Sequence, residues 1–184
     1  SLDSVTGRNH AFASGDFDGD GNADVVVAGG YGELTVFKGS DGTLLNGPLY
    51  LYAGEVQATL PSEGARRINA ASTADIAGDG YVEALVAHDD GYLYAVNLAD
   101  GDDASLLFSV YFGAGVYYVM ADDLDEDGLL EVLVSVNDGG FYLIDEGDGE
   151  VVIDAPSADS CVDESTFVVM GTAQAVTSID LYLQ

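Results

Sequence analysis

The stretch Asp16-Phe17-Asp18-Gly19-Asp20-Gly21-Asn22-Ala23-Asp24 constrains this chain more than any other. Carboxylates stand at its first, third, fifth and ninth positions and a glycine at its sixth. Alternate spacing lets several carboxylates converge on one hard cation, and the glycine permits the sharp turn that brings them round. The design returns at Asp123-Leu124-Asp125-Glu126-Asp127-Gly128-Leu129-Leu130-Glu131. A degenerate copy, with Ala77 at the third position, occupies Asp75-Ile76-Ala77-Gly78-Asp79-Gly80-Tyr81-Val82-Glu83. The starts lie 59 and 48 residues apart, so the chain reads as an array of repeats.

The residues between the loops define each repeat. His10 to Ser14 is a half-apolar strand before the first loop, and Ala23 to Ala28 is a β-branched strand after it. Gly29 to Gly32 turns the chain. Glu33 to Lys38 alternates polar and apolar residues, as a half-buried strand does. Pro48 to Tyr52 supplies a fourth strand, and Val56 to Leu60 can add a short one. The cycle repeats with Arg66 to Thr73, Val82 to Ala87, Tyr92 to Asn97 and Ser105 to Phe112. It repeats again with Val116 to Ala121, Leu129 to Val136, Phe141 to Asp145 and Glu150 to Asp154. No long stretch carries a helical period. A spacing of 48 suits one four-stranded propeller blade, and 59 suits a blade with an insertion between Ala53 and Ala65.

The expected fold is therefore all-β: a β-propeller-like array of four-stranded antiparallel blades. Blade 1 covers about residues 10–64, blade 2 about 65–113 and blade 3 about 114–154, within a single domain 1–184. The tail, 155–184, lacks an acidic loop but holds two strand patterns, Thr166 to Met170 and Ala175 to Tyr182. It reads as a partial blade or an assembly tail. Three and a half blades do not obviously close a ring, so another chain, the first nine residues or further sequence would complete it.

Charge narrows the partners. The chain has 33 acidic residues against 4 Lys plus Arg, a formal charge of −29. Such a surface repels nucleic-acid phosphates and anionic membranes. Three bound dications would return only six of those charges, so the excess also fits a very soluble exterior protein or a high-salt setting that screens self-repulsion. A hydrophobic share of 48% excludes an acidic disordered tail. Cys161 is the single cysteine, which rules out an intrachain disulfide scaffold. No apolar run reaches the roughly 20 residues of a membrane helix. The chain opens at Ser1 with neither methionine nor apolar leader, as a processed or trimmed product or a tag scar would.

The first and third loops with their flanks, Ala13 to Val27 and Ala121 to Val134, resemble the calcium-binding repeats of the integrin alpha-chain propeller, the FG-GAP or VCBS repeats. The segments Asp90 to Asn97 and Asp138 to Asp145 are also similar to blades of quinoprotein-like propellers, but without the tryptophan those blades carry, and no quinone cofactor is inferred. The resemblance covers about residues 10–154. It implies a calcium-binding loop between the first two strands of each blade. The first loop would use Asp16, Asp18, Asp20 and Asp24 with the backbone oxygen of Asn22. The third would use Asp123, Asp125, Asp127 and Glu131 with the backbone oxygen of Leu129. The second would use Asp75, Asp79 and Glu83 with the backbone oxygen of Tyr81, Ala77 standing where a ligand is expected.

An EF-hand is the rival reading of these loops, but it needs Glu at position twelve and flanking helices. Position twelve is Val27 in the first loop and Val134 in the third, each inside a strand pattern. His10 and His88 show no zinc spacing, and no Gly-x-Ser-x-Gly elbow is present, so no catalytic residues are assigned. Arg66-Arg67 reads as a structural anchor for a carboxylate, within the blade or across a subunit contact, with substrate binding as the alternative, and Lys38 as isolated. The tyrosine pairs Tyr50 and Tyr52, Tyr92 and Tyr94, and Tyr117 and Tyr118 read as blade packing, with sugar stacking as the alternative. The functional expectation is an extracellular or cell-surface module, stabilised by Ca2+ and without catalysis. It would serve adhesion, or self-assembly into an oligomer or filament. A carbohydrate-binding module and a fragment of a calcium-dependent polysaccharide lyase or phytase-like enzyme are the alternatives.

Overall fold

A computed structural model describes residues 11–59, 66–98, 104–124 and 128–144. His10, Asp125, Asp127, the strand expected at 150–154 and the tail with Cys161 lie outside the described residues. The fold is all-β, in three antiparallel sheets. The first runs β1 (Ala11–Gly15), β2 (Asp24–Ala28), β3 (Glu33–Phe37), β4 (Leu44–Tyr52) and β5 (Glu55–Gln57). The second runs β6 (Ile68–Ala74), β7 (Glu83–His88), β8 (Tyr92–Asn97) and β9 (Ser105–Tyr111). The third runs β10 (Val116–Asp122), β11 (Glu131–Val136) and β12 (Phe141–Ile144). Each sheet is a meander, so every strand pairs with its neighbour in sequence.

The strands fall within a few residues of the sequence expectation, and β4 differs most. It begins at Leu44 rather than Pro48, because the ladder with β3 absorbs an irregularity at Gly47-Pro48. Gly47 has φ +100°, and a Cβ there would sit 2.6 Å from the Leu34 carbonyl oxygen. A proline lacks the ladder N–H, so it is tolerated where the register is already broken. The short strand foreseen near Val56 is β5, which pairs with β4 and makes the first sheet five-stranded.

Side-chain alternation decides how the sheets stack. One face of the first sheet presents Val26, Ala28, Leu34 and Val36 to Ala84, Val86, Tyr94 and Val96 of the second. The opposite face of the second sheet presents Leu85, Ala87, Leu93 and Ala95 to Val132, Val134 and Tyr142 of the third. The second sheet is thus apolar on both faces, and β7 is buried along its whole length. The first strands lie side by side. Thr73 Oγ1 donates to the Ser14 carbonyl at 2.8 Å, and Asn69 Nδ2 to the Val116 carbonyl at 2.7 Å. This stacking is compatible with blade-like units, and among the described residues the three sheets do not close into a ring.

The two outer faces are apolar and lack a neighbour among the described residues. Val26 and Ala28, Leu85 and Ala87, and Leu133 and Ser135 hold equivalent positions in the three hairpins. The first two pairs are buried against the next sheet, but Leu133 and Ser135 are only half-buried. On the same face Tyr118 is 70% exposed and Phe141 61% exposed. At the other end Phe12 is 78% exposed beside Val27.

Candidate metal centre

The three acidic loops join the first two strands of each sheet at one register. Gly15 pairs with Asp24, Ala74 with Glu83, and Asp122 with Glu131. The first-position aspartate builds the turn. Asp16 Oδ1 accepts from Asp20 N at 3.1 Å and Oδ2 from Gly21 N at 2.8 Å. Asp75 repeats this with Asp79 N at 3.0 Å and Gly80 N at 2.9 Å. Asp123 Oδ2 takes Gly128 N at 3.0 Å. Gly21, Gly80 and Gly128, at the sixth position, all have left-handed φ between +84° and +92°, a region costly for a residue with a Cβ.

The second residue of each loop plugs it into a core where one is available. Phe17 is fully buried between the first and second sheets, and Ile76 between the second and third. Leu124, with no further sheet described beside it, is 52% exposed.

The ninth-position carboxylates are buried although the loops are exposed. Asp24 Oδ2 accepts from Phe17 N at 3.1 Å, and Oδ1 from Gly39 N at 2.9 Å. Glu83 Oε2 accepts from both Ile76 N at 3.0 Å and Ala77 N at 3.1 Å, while Oε1 is buried without a partner. Glu131 behaves alike: Oε2 takes Leu124 N at 2.6 Å, and Oε1 has no partner. Burial raises the Glu83 carboxyl above its usual range, and the neighbouring Asp79 and Asp75 push it the same way, against the backbone N–H groups of Ala77 and Ile76. An unpaired buried carboxylate oxygen costs about 1–3 kcal/mol or more. A cation at the loop removes that cost, so this donor set fits a metal.

In the first loop, ligand oxygens of Asp16, Asp18 and Asp24 lie within 4.8 Å of one another. Asp20 stands outside that group. It is exposed, and its Oδ1 accepts from the backbone and side chain of Asn22 at 2.7 and 2.9 Å, the side-chain bond being the main reason its carboxyl lies below the usual range. In the second loop Asp75 and Asp79 hold turn positions like those of the first, while the exposed Ala77 contributes no oxygen from its side chain. Asn22, Tyr81 and Leu129 occupy the seventh positions from which a backbone oxygen was expected. Asp125 and Asp127 lie outside the described residues.

Sequence reasoning missed two features. Lys38, read as isolated, pairs through Nζ with Asp18 Oδ2 at 2.7 Å. The second is a joint at Asp90. Its Oδ2 accepts from Tyr94 Oη at 2.6 Å and from Ala53 N at 3.1 Å, tying the β4–β5 turn to the second sheet. Its Oδ1 accepts from Tyr92 N and lies 2.8 Å from Nδ1 of the buried His88. Asp90, two residues after His88, is thus the carboxylate that faces it. Arg66 and Arg67 are exposed and form no ion pair among the described residues, so the anchor expected within the blade is not made there. Of the tyrosines, Tyr92 and Tyr94 pack against each other, whereas Tyr118 is exposed.

Among the described residues there is no catalytic constellation. His88 is fully buried, and its carboxylate partner is engaged by a tyrosine and backbone N–H groups. No helix among them is long and apolar enough to cross a membrane. Residues 16–86 match the family described as the FG-GAP-like repeat, a span that holds the first two acidic loops and the strands around them. No curated protein matches the chain.

Proposed function

From the FG-GAP-like repeat that residues 16–86 carry, we propose that this chain is a calcium-stabilised structural or adhesion module of the cell exterior, built as a β-propeller-like array. The observation that carries the reading is the pair of buried, unpartnered oxygens, Glu83 Oε1 and Glu131 Oε1, each beside an acidic loop. Asp16, Asp18, Asp20 and Asp24 with the backbone of Asn22 would hold one ion. Asp123, Asp125, Asp127 and Glu131 with the backbone of Leu129 would hold another. Asp75, Asp79, Glu83 and the backbone of Tyr81 would hold a third, weaker one. Flexible loops mixing carboxylates with backbone oxygens suit Ca2+ better than Mg2+, which demands a small, rigid octahedron. The ion supplies positive charge that pins each β-hairpin end, and its binding free energy adds to folding.

The test is thermal melting of chelator-stripped protein with and without calcium. Calcium at about 100 times its Kd adds about 2.7 kcal/mol per site, a rise of about 5–10 °C. An unchanged melting temperature overturns the reading.

The outer faces support a second element of function, self-assembly. The Tyr118, Leu133 and Phe141 face of one copy is equivalent to the face with which the second sheet covers the third. The Phe12 and Val27 face of another copy is equivalent to the face with which the third sheet meets the second. A second copy therefore fits there head to tail, continuing a joint the chain already uses twice. Sedimentation should show concentration-dependent association that Met120→Glu, on that face, abolishes. A monomer at all concentrations removes this element and leaves the calcium reading standing.

A further inference from the structure

Lys38 is the sole lysine and one of 4 basic residues in a chain with 33 acids, and it sits against the first acidic loop. Its placement is built rather than incidental. Lys38 N donates to the Thr43 carbonyl, and Gly42 N to the Lys38 carbonyl, fixing the turn after β3. The next residue, Gly39, donates its N–H to Asp24 Oδ1 at 2.9 Å. A Cβ on Gly39 would lie 1.8 Å from the Ala23 carbonyl oxygen, so the turn presses directly on the loop backbone. From there the Lys38 ammonium reaches Asp18 Oδ2 at 2.7 Å; the Asp18 side chain is only 5% exposed. Asp18 is one of the three clustered carboxylates. In the second sheet the position that shares the register of Lys38 is Asn97, which is half-buried and carries no charge. In the third repeat the sequence there is Asp145.

We propose that Lys38 is the resident counter-ion of the first loop: by pairing with Asp18, its ammonium offsets part of the charge that Asp16, Asp18 and Asp24 gather while no divalent ion is bound, and it competes with calcium for Asp18. The first loop then holds its shape without metal and binds calcium less tightly than its four carboxylates alone would dictate. The second loop, without such a lysine, has its charge balanced by the ion. The calcium half of this inference rests on the calcium reading of the loops; the counter-ion half does not.

The experiment compares wild type, Lys38→Met and Lys38→Arg. Met keeps the aliphatic stem and removes the charge; Arg keeps the charge. In chelator, Lys38→Met should melt about 2–4 °C below wild type, with Lys38→Arg close to wild type. In calorimetric titration with calcium, Lys38→Met should tighten one binding phase about five- to tenfold and leave the others unmoved. A Lys38→Met melt equal to wild type in chelator overturns the counter-ion role whatever calcium does. A drop in the chelator melt with unchanged or weakened calcium binding overturns the competition. If wild type binds no calcium at all, the calcium reading fails, and with it the competition, while the chelator melts still decide the counter-ion role.

Discussion

In the first loop Asp24 gives one oxygen to Phe17 N and the other to Gly39 N. In the second, Glu83 gives a single oxygen to both Ile76 N and Ala77 N and leaves the other bare. The two loops otherwise share a register, an aspartate-built turn and a left-handed glycine. The difference begins with one methylene. The longer glutamate places one oxygen against two successive N–H groups. The shorter aspartate divides its oxygens between its own loop and the turn after β3. The first loop balances a buried carboxylate with protein donors and a lysine. The second leaves a buried oxygen that only something from outside can satisfy. Loops with the same spacing can thus depend on an ion to different degrees.

Removing the ninth carboxylate should separate the loops most. In Asp24→Asn an amide NH2 replaces one acceptor, so a buried backbone N–H loses its partner and faces another donor. Two hydrogen bonds to a charged group are at stake, and the cost in chelator should be about 2–4 kcal/mol, and larger in calcium, where the variant also gives up a ligand. Glu83→Gln removes a buried charge whose second oxygen is unpaired. Its melting temperature in chelator should equal or exceed wild type, and its rise on adding calcium should be smaller. Equal losses for both variants in chelator would break the contrast.

Asp90 offers a joint that needs neither metal nor lysine, and so sharpens the comparison. Burial pushes its carboxyl upward, but hydrogen bonding and charge from His88, the Tyr94 hydroxyl and Tyr92 N outweigh this and hold it below the ordinary 3.8. A carboxyl with a lowered folded pKa stabilises the fold above its unfolded value, and that contribution disappears as pH falls through the folded one. At neutral pH Asp90→Asn should cost about 1–2 kcal/mol. The gap from wild type should close as pH is lowered below 3.8, and calcium should leave it unchanged. Melts from pH 2 to 7 in chelator check this; a gap that grows toward acid would refute it.

The loops and strands were legible because both are local. Asp and Gly at fixed positions dictate the turn, valine-rich runs dictate β2 and β11, and the apolar run Ala84 to Ala87 dictates β7. The third-position gap at Ala77 was also visible, since a ligand type either stands there or does not. Lys38 was not legible. Its partner Asp18 lies 20 residues away, and only the register of β2 against β3 swings the post-β3 turn onto the first loop. Asp90 was hidden for the same reason, since its partner Ala53 belongs to another sheet. A repeat alignment by strand register would have put Lys38, Asn97 and Asp145 in one column and marked the lysine as the odd member.

The smallest effect on stability, and the most direct on the comparison, should come from giving the second loop what it lacks. Ala77 is exposed at the third position, where the first loop has Asp18. Ala77→Asp adds a carboxylate near Asp75, Asp79 and the unpaired oxygen of Glu83, with no lysine in reach of the kind that meets Asp18. Without metal the added repulsion should lower stability by about 0.5 kcal/mol, a small cost because the position faces solvent. With calcium the extra ligand should tighten the second site about tenfold, and the chelator-to-calcium melting shift should widen accordingly. If the third position merely completes a turn, neither affinity nor the shift will change. Lys38 predicts one further asymmetry: Ala77→Asp should gain more affinity in the second loop than Asp18 confers in the first, because Asp18 has to be released by an ammonium before it can serve an ion.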